Sequence, residues 1–243
     1  MKIFKKRKMK KRVLPDKNLS LLEAKINLKI KNKNIFYEAL THKSYLYFHP
    51  HHPYNHNERL EFLGDAIIEF IISWYLFRKF VKFQEGELTL IRASLVNRER
   101  LLKLAEKFEL EKFMFLGENL SEKGLKTVLS NGVEALVGAI FLDNDLETVK
   151  KFIEDNFFED LGEIIKKRLY KDPKSELQEI LQGKYKILPK YVVLKEEGPS
   201  HKKKFTVGLY VEDKLISVGE GENKQQAEIV AASKALKKLK KNL

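Results

Sequence analysis

The chain contains no cysteine, which excludes disulfides and thiolate zinc sites and suits a reducing compartment. It also lacks any apolar run approaching the ~18 residues of a membrane span. The longest candidate, Ala66 to Leu76, is interrupted by Glu69 and Ser73. No apolar stretch of signal-peptide length follows the basic start MKIFKKRKMKKR, whose lysine bias and shortage of serine also argue against a transit peptide. These absences predict a cytoplasmic protein without a membrane. Acidic residues are missing from residues 1–12, which hold eight Lys or Arg.

What is present suffices for a large core: 243 residues, 43% hydrophobic and 11% aromatic. The net charge of +13 is unevenly placed, with +8 in residues 1–12, +6 in residues 171–243 and −1 between them. A near-neutral centre with two basic ends points to polyanion binding at the ends, against simple solubility as the plainer reading.

Residues 20–169 carry helical periodicity, with apolar residues recurring at three and four. The segments are an opening one from Ser20, then Asn34 to Leu40, Asn57 to Phe80, Thr89 to Phe108, Leu125 to Leu142, and Leu146 to Leu169 with a break at Gly162. Gly86, Gly117 and Gly124 are expected in linkers. Residues 171–243 differ. Asp172-Pro173 opens a helix, YVVLKEE, KKKFTVGLYVED and KLISVGEG alternate as strands, and QQAEIVAASKALKKLKKNL closes as a helix. The expected fold is α+β: a basic tail at 1–19, an all-α domain at 20–169 and an α-β-β-β-α domain at 171–243.

NERLEFLGDAIIEF places Glu58, Glu61 and Asp65 at i, i+3 and i+7, on one helix face. In SNGVEAL, Asn131 and Glu134 lie three apart within a very apolar helix, where a buried carboxylate needs a cation or a donor. Two such helices facing one space would form an oxygen-rich pocket of the kind hard Mg²⁺ prefers. From spacing alone the alternative stays open that Glu58 and Glu61 are solvent-facing partners of Arg59 or another base.

At this point a resemblance enters. NERLEFLGDAII resembles the signature helix of the ribonuclease III family, and ALTHKSY, EGELTLIRASLVN and VEALVGAIFLD are similar to its other motifs. DPKSELQEILQ, GPSHKKKF and GEGENKQQAEIVAASKAL resemble the double-stranded-RNA-binding domain that follows the nuclease domain in bacterial members. The resemblance implies that Glu61, Asp65 and Glu134 are catalytic and bind metal together with Asn131, the metal being Mg²⁺ with Mn²⁺ as a substitute. It implies that Glu58 and Glu85 are acidic residues near the site, and that Phe62 is an aromatic knob in a homodimer. It implies hydrolysis of duplex RNA to 5′-phosphate and 3′-hydroxyl ends with short 3′ overhangs, in processing of rRNA, mRNA and other RNA. It implies minor-groove contacts by Ser175, Gln178, Glu179 and His201, and a phosphate contact by Lys224, where Gln225 replaces the second lysine of the usual pair. Lys202, Lys203 and Lys234 are further candidates by charge, and the basic tail, outside the resemblance, is read either as adding nonspecific phosphate attraction or as a solubilising end.

One position departs from the family pattern: Asn131 stands where aspartate is usual. It keeps a carbonyl oxygen but lacks the charge, so metal affinity should fall. Three readings stand open: a tolerated natural ligand, a deliberate substitution that disables cleavage, or a homologue that binds duplex RNA without cutting. A ribosome-associated structural protein on the same folds is a further class, disfavoured by the three retained carboxylates. Four histidines in YFHPHHPYNHN, His49, His51, His52 and His56, are weighed as zinc ligands against a loop beside the site. His42 is read as a structural hydrogen-bonding residue.

Overall fold

The computed structural model describes residues 18–199 and 203–241. The basic tail through residue 17, together with His201 and Lys202, lies outside the described residues. The chain divides into two compact units, Met1–Gly162 and Glu163–Leu243.

The first unit is helical: α1 (Leu19–Ile26), α2 (Lys33–Ala39), α3 (Lys43–Phe48), α4 (Glu58–Lys79), α5 (Glu85–Leu95), α6 (Arg98–Lys107), α7 (Leu110–Phe113), α8 (Glu122–Asp143) and α9 (Leu146–Phe157). The division at Gly162 falls within α10 (Leu161–Lys167). Helix α8 forms the centre; Val133, Ala135, Leu136, Val137, Ala139 and Ile140 are fully buried in it. Among the described residues it is the one helix long and apolar enough to cross a membrane, and most of that stretch is buried inside the fold. The stretch that is apolar over a span's length is therefore in α8 rather than Ala66 to Leu76; polar residues scattered through it break any continuous apolar run.

Glycine sets the closest contact of this core. A Cβ on Gly64 would lie 1.7 Å from the Glu134 carbonyl oxygen, and one on Gly138 would lie 2.3 Å from that of Leu60. Helices α4 and α8 thus cross with their main chains in contact, a packing that any side chain at these two positions would prevent.

Several boundaries depart from the expected ones. The segment Thr89 to Phe108 is two helices, because Asn97 caps a new start by accepting the Arg100 N–H at 3.1 Å. Gly86 and Gly124 lie inside helices rather than linkers, the latter because Ser121 caps α8 early by accepting its N–H at 3.1 Å. The last helical segment breaks at Phe158–Asp160, before Gly162. The short helices α3 and α7 were not expected.

The second unit follows the predicted order: α11 (Pro173–Tyr185), β1 (Pro189–Glu197), β2 (Lys204–Val211), β3 (Lys214–Gly221) and α12 (Lys224–Lys241). Asp172 caps α11 by accepting the Ser175 N–H at 3.0 Å, with Pro173 in the first turn. The sheet is antiparallel in the order β1-β2-β3, and Glu212 takes a left-handed conformation in the β2–β3 turn. Leu177 and Leu181 pack with Leu209, Ala231, Ala235 and Leu236 to form the core.

Candidate active site

The glycine-mediated crossing brings the acidic face of α4 against the middle of α8. Asn131 Nδ2 donates to Glu61 Oε1 at 2.6 Å, joining the two helices through their functional side chains. Glu134, one helical turn further along α8, is held well above the usual carboxylate range, at about 7. Burial is the main cause, followed by the negative charges of Asp65 and Glu61. Glu61 is raised as well, by burial first and then by Glu58, with Asp65 adding and Lys43 opposing. Four oxygen-bearing residues from two helices therefore share one electrostatic site, and its charges are mutually repulsive. Such a donor set fits a hard divalent cation. As the side chains stand, no three His, Asp or Glu among the described residues form a ready set of metal ligands. The Asn131 amide occupies one oxygen of Glu61 instead.

Glu58 is different. It forms an ion pair with Lys43 at 2.7 Å and lies 3.5 Å from His56 Nδ1, and the Lys43 hydrogen bond holds its carboxyl below the usual range. The partner is thus a lysine of α3 rather than Arg59. A cleft of about 680 Å³ runs from Glu61 and Asn131 past Glu58, Lys43 and His42 to Ser121, Lys123, Gly124 and Thr127 at the start of α8. Lys43 and Lys123 were not among the residues singled out from the sequence. Their signal, lysines beside two motifs, is weak in a chain with 47 Lys and Arg.

Thr41 anchors this wall. It is fully buried and donates through Oγ1 to the Tyr37 carbonyl at 2.7 Å; its own carbonyl accepts from the Asn57 N–H at 2.9 Å. His42 is structural, as expected: its Nδ1 accepts the Ser44 N–H at 3.2 Å and caps α3. Burial lowers its pKa, with Lys43 adding and Glu58 opposing. The histidine-rich loop builds no zinc site among the described residues. His49 stacks on Tyr45, and His52 packs against Tyr45, Tyr54 and Phe115.

Glu85 does not join the other carboxylates in this chain. It accepts from Thr89 Oγ1 at 3.1 Å and lines a separate cleft of about 720 Å³ between α4 and α5, with Phe77, Val81, Leu88 and Arg92. Phe62 is 79% exposed, and Phe70 and Phe77, eight and fifteen residues further on, are also exposed, forming an apolar stripe along α4.

In the second unit Ser175, Gln178 and Glu179 are exposed on one face of α11. Glu179 pairs with Lys171 at 3.1 Å and Lys203 pairs with Glu196. Lys224 opens α12 with its ammonium 5.8 Å from the Phe205 ring centre. Lys234 donates to a main-chain carbonyl of β3.

Comparison with known proteins gives a consistent result. Residues 32–161 match the model of the "Ribonuclease-III-like" family, and residues 173–239 match that of the "Double-stranded RNA binding motif". The chain is 44% identical to Ribonuclease 3 of Carboxydothermus hydrogenoformans over 226 residues, covering 92% of this chain and 96% of the relative. It is 42% identical to Ribonuclease 3 of Nitratiruptor sp., covering 92% and 98%. A solved nuclease domain of ribonuclease III from Campylobacter jejuni aligns with a TM-score of 0.50 at 39% identity, covering 58% of this chain and 99% of that one. That structure was described for flexibility in a region involved in dimer formation.

Proposed function

This chain belongs to the ribonuclease III family, and from that premise we propose that α4 and α8 hold its active site for cutting double-stranded RNA. The chain is an endoribonuclease that depends on a divalent metal. Glu61, Asp65 and Glu134 are the residues that hold the ion, with the Asn131 carbonyl oxygen as the fourth donor. Mg²⁺ is the ion proposed, since every donor is a hard oxygen; Mn²⁺ can replace it. When bound, a divalent cation lowers the pKa of water and offsets charge on the phosphoryl oxygens.

The observation that carries this reading is Glu134, a half-buried carboxyl raised to about 7 beside two further acids. Such a grouping is costly without a cation and is common where charge is used chemically. Asn131 holds Glu61 in place from the opposite helix. Lys43 and Lys123 line the cleft that leaves the acids, where they can meet RNA phosphates flanking the cut.

Phe62 and the α4 stripe supply a surface for pairing two copies, and the apolar cleft beside Phe77 and Val81 suits an aromatic ring. The second unit holds the duplex by shape, through Ser175, Gln178, Glu179 and Lys224. Cytoplasmic processing of rRNA and other structured RNA follows from this activity.

The test is cleavage of a labelled RNA duplex with Mg²⁺, with and without excess chelator. Glu134→Gln should abolish cutting and leave duplex binding unchanged. If the parent chain binds the duplex and never cuts it, while Asn131→Asp does, the proposed site of this chain is incomplete. A Phe62→Ala chain should sediment as a monomer with native helical content and a melting temperature no longer dependent on concentration; a persistent dimer would remove that ring from the interface.

A further inference from the structure

The order β1-β2-β3 leaves β3 with one edge that no strand covers. Two lysines of α12 reach this edge. Lys234 Nζ donates to the Val218 carbonyl at 2.8 Å, and Lys238 Nζ donates to the Ile216 carbonyl at 2.7 Å. The geometry matches along both elements. Four helical residues rise about 6 Å, and two strand residues advance about 6.8 Å. One lysine per turn therefore meets every second carbonyl of the strand. The helix lies close enough because Gly219 has no side chain: a Cβ there would stand 2.0 Å from the Ala227 carbonyl oxygen. The Ser217 hydroxyl donates to the Ala231 carbonyl at 2.7 Å and fixes the same alignment.

We propose that Lys234 and Lys238 close the β3 edge against strand pairing with a second copy of this chain. An open edge strand is a template for another strand. Residues of an antiparallel strand turn both main-chain groups to the same side. Val218 thus directs its N–H outward with the carbonyl that Lys234 engages. Leu215, on the same strand, is 49% exposed and would add apolar area to such a pairing. The lysines oppose it in three ways. Their ammonium groups occupy the acceptors, their stems cover the strand, and a second copy would bring the same positive charges to the same place. The opposite edge begins at Pro189, and each outer strand carries a register irregularity, between Val193 and Lys195 in β1 and at Ile216 in β3. This assignment takes Lys234 away from the phosphate contacts expected of it and gives it a protective role. It does not depend on the active-site reading.

The experiment is sedimentation of the full chain carrying Lys234→Met and Lys238→Met over a range of concentrations. The expected result is association beyond that of the parent, with mass rising as concentration increases, since a dimer carries two such edges and pairing at both can extend. Adding Val218→Pro should reverse it, since proline removes the outward N–H. Duplex-RNA affinity and salt dependence of the single variant Lys238→Met should match the parent. Parent-like mass at every concentration overturns the proposal. So does association that Val218→Pro leaves intact, or weaker RNA binding with a shallower salt dependence. Should the double variant not fold, each single variant is read by the same criteria.

Discussion

Asn131 and Glu61 are joined across two helices by a hydrogen bond of 2.6 Å in which the amide donates and the carboxylate accepts. An aspartate at this position could not donate and would add a further charge to an already repulsive group. Asn131→Asp should therefore lower the Mg²⁺ concentration needed for half-maximal cleavage, by about tenfold if the added charge contributes ~1.4 kcal/mol. The same variant should melt at a lower temperature in chelator. A Mg²⁺ titration of duplex cleavage and a melting curve check both; an unchanged Mg²⁺ requirement would place Asn131 outside the ligand set.

Glu134 gives a pH dependence of defined sign. Its pKa of about 7 in the folded chain lies above the ordinary 4.5, so the folded state binds the proton more tightly. This contribution to stability is fully present below 4.5 and is lost as pH rises through about 7. Without divalent ions, the melting temperature should fall across that window, and Glu134→Gln should remove that part of the fall. Melting curves in chelator at a series of pH values measure it.

Gly64→Ala tests the helix crossing. The new methyl would meet a main-chain oxygen at 1.7 Å, with no side chain able to move away. Destabilisation of about 3 kcal/mol or more is expected, at the upper end for overpacking. Chemical denaturation measures it. Gly162→Ala, in α10 where a Cβ meets nothing within 4 Å, is the control and should leave stability unchanged or raise it slightly.

The two kinds of RNA contact should separate by salt. Lys224→Ala should weaken duplex binding and reduce the slope of log affinity against log salt by about 1. Gln178→Ala should weaken binding with the slope unchanged, because an uncharged groove contact releases no counterion. Binding isotherms at several salt concentrations distinguish them.

The acidic face of α4 and the α-β-β-β-α order were legible because each rests on local periodicity. Spacing puts Glu58, Glu61 and Asp65 on one face whatever surrounds them. What lies opposite that face was not legible from periodicity. The approach of α8 depends on Gly64 and Gly138, two glycines 74 positions apart whose partnership only packing reveals. The break before α6 did carry a sequence signal, an asparagine three residues before the N–H it caps, but the continuous apolar period from Thr89 to Phe108 obscured it. The short helices α3 and α7 have too few residues to show a period, and tertiary contacts hold them. The Phe115–Thr41 bridge beside α3 joins segments far apart in the chain. The lysine run of α12 reads as a solvated face, because nothing in its composition tells which lysines bend back to a strand.

The meeting of α4 and α8 at Gly64 and Gly138 has a consequence for how such a sequence can drift. The gauge between the two acid-bearing rods is set by peptide atoms, which substitution does not alter. Leucines, isoleucines and valines around the contact can be exchanged over generations while the spacing of the two helices keeps its width. Only two positions, neither bearing any chemistry of its own, hold a veto over that latitude.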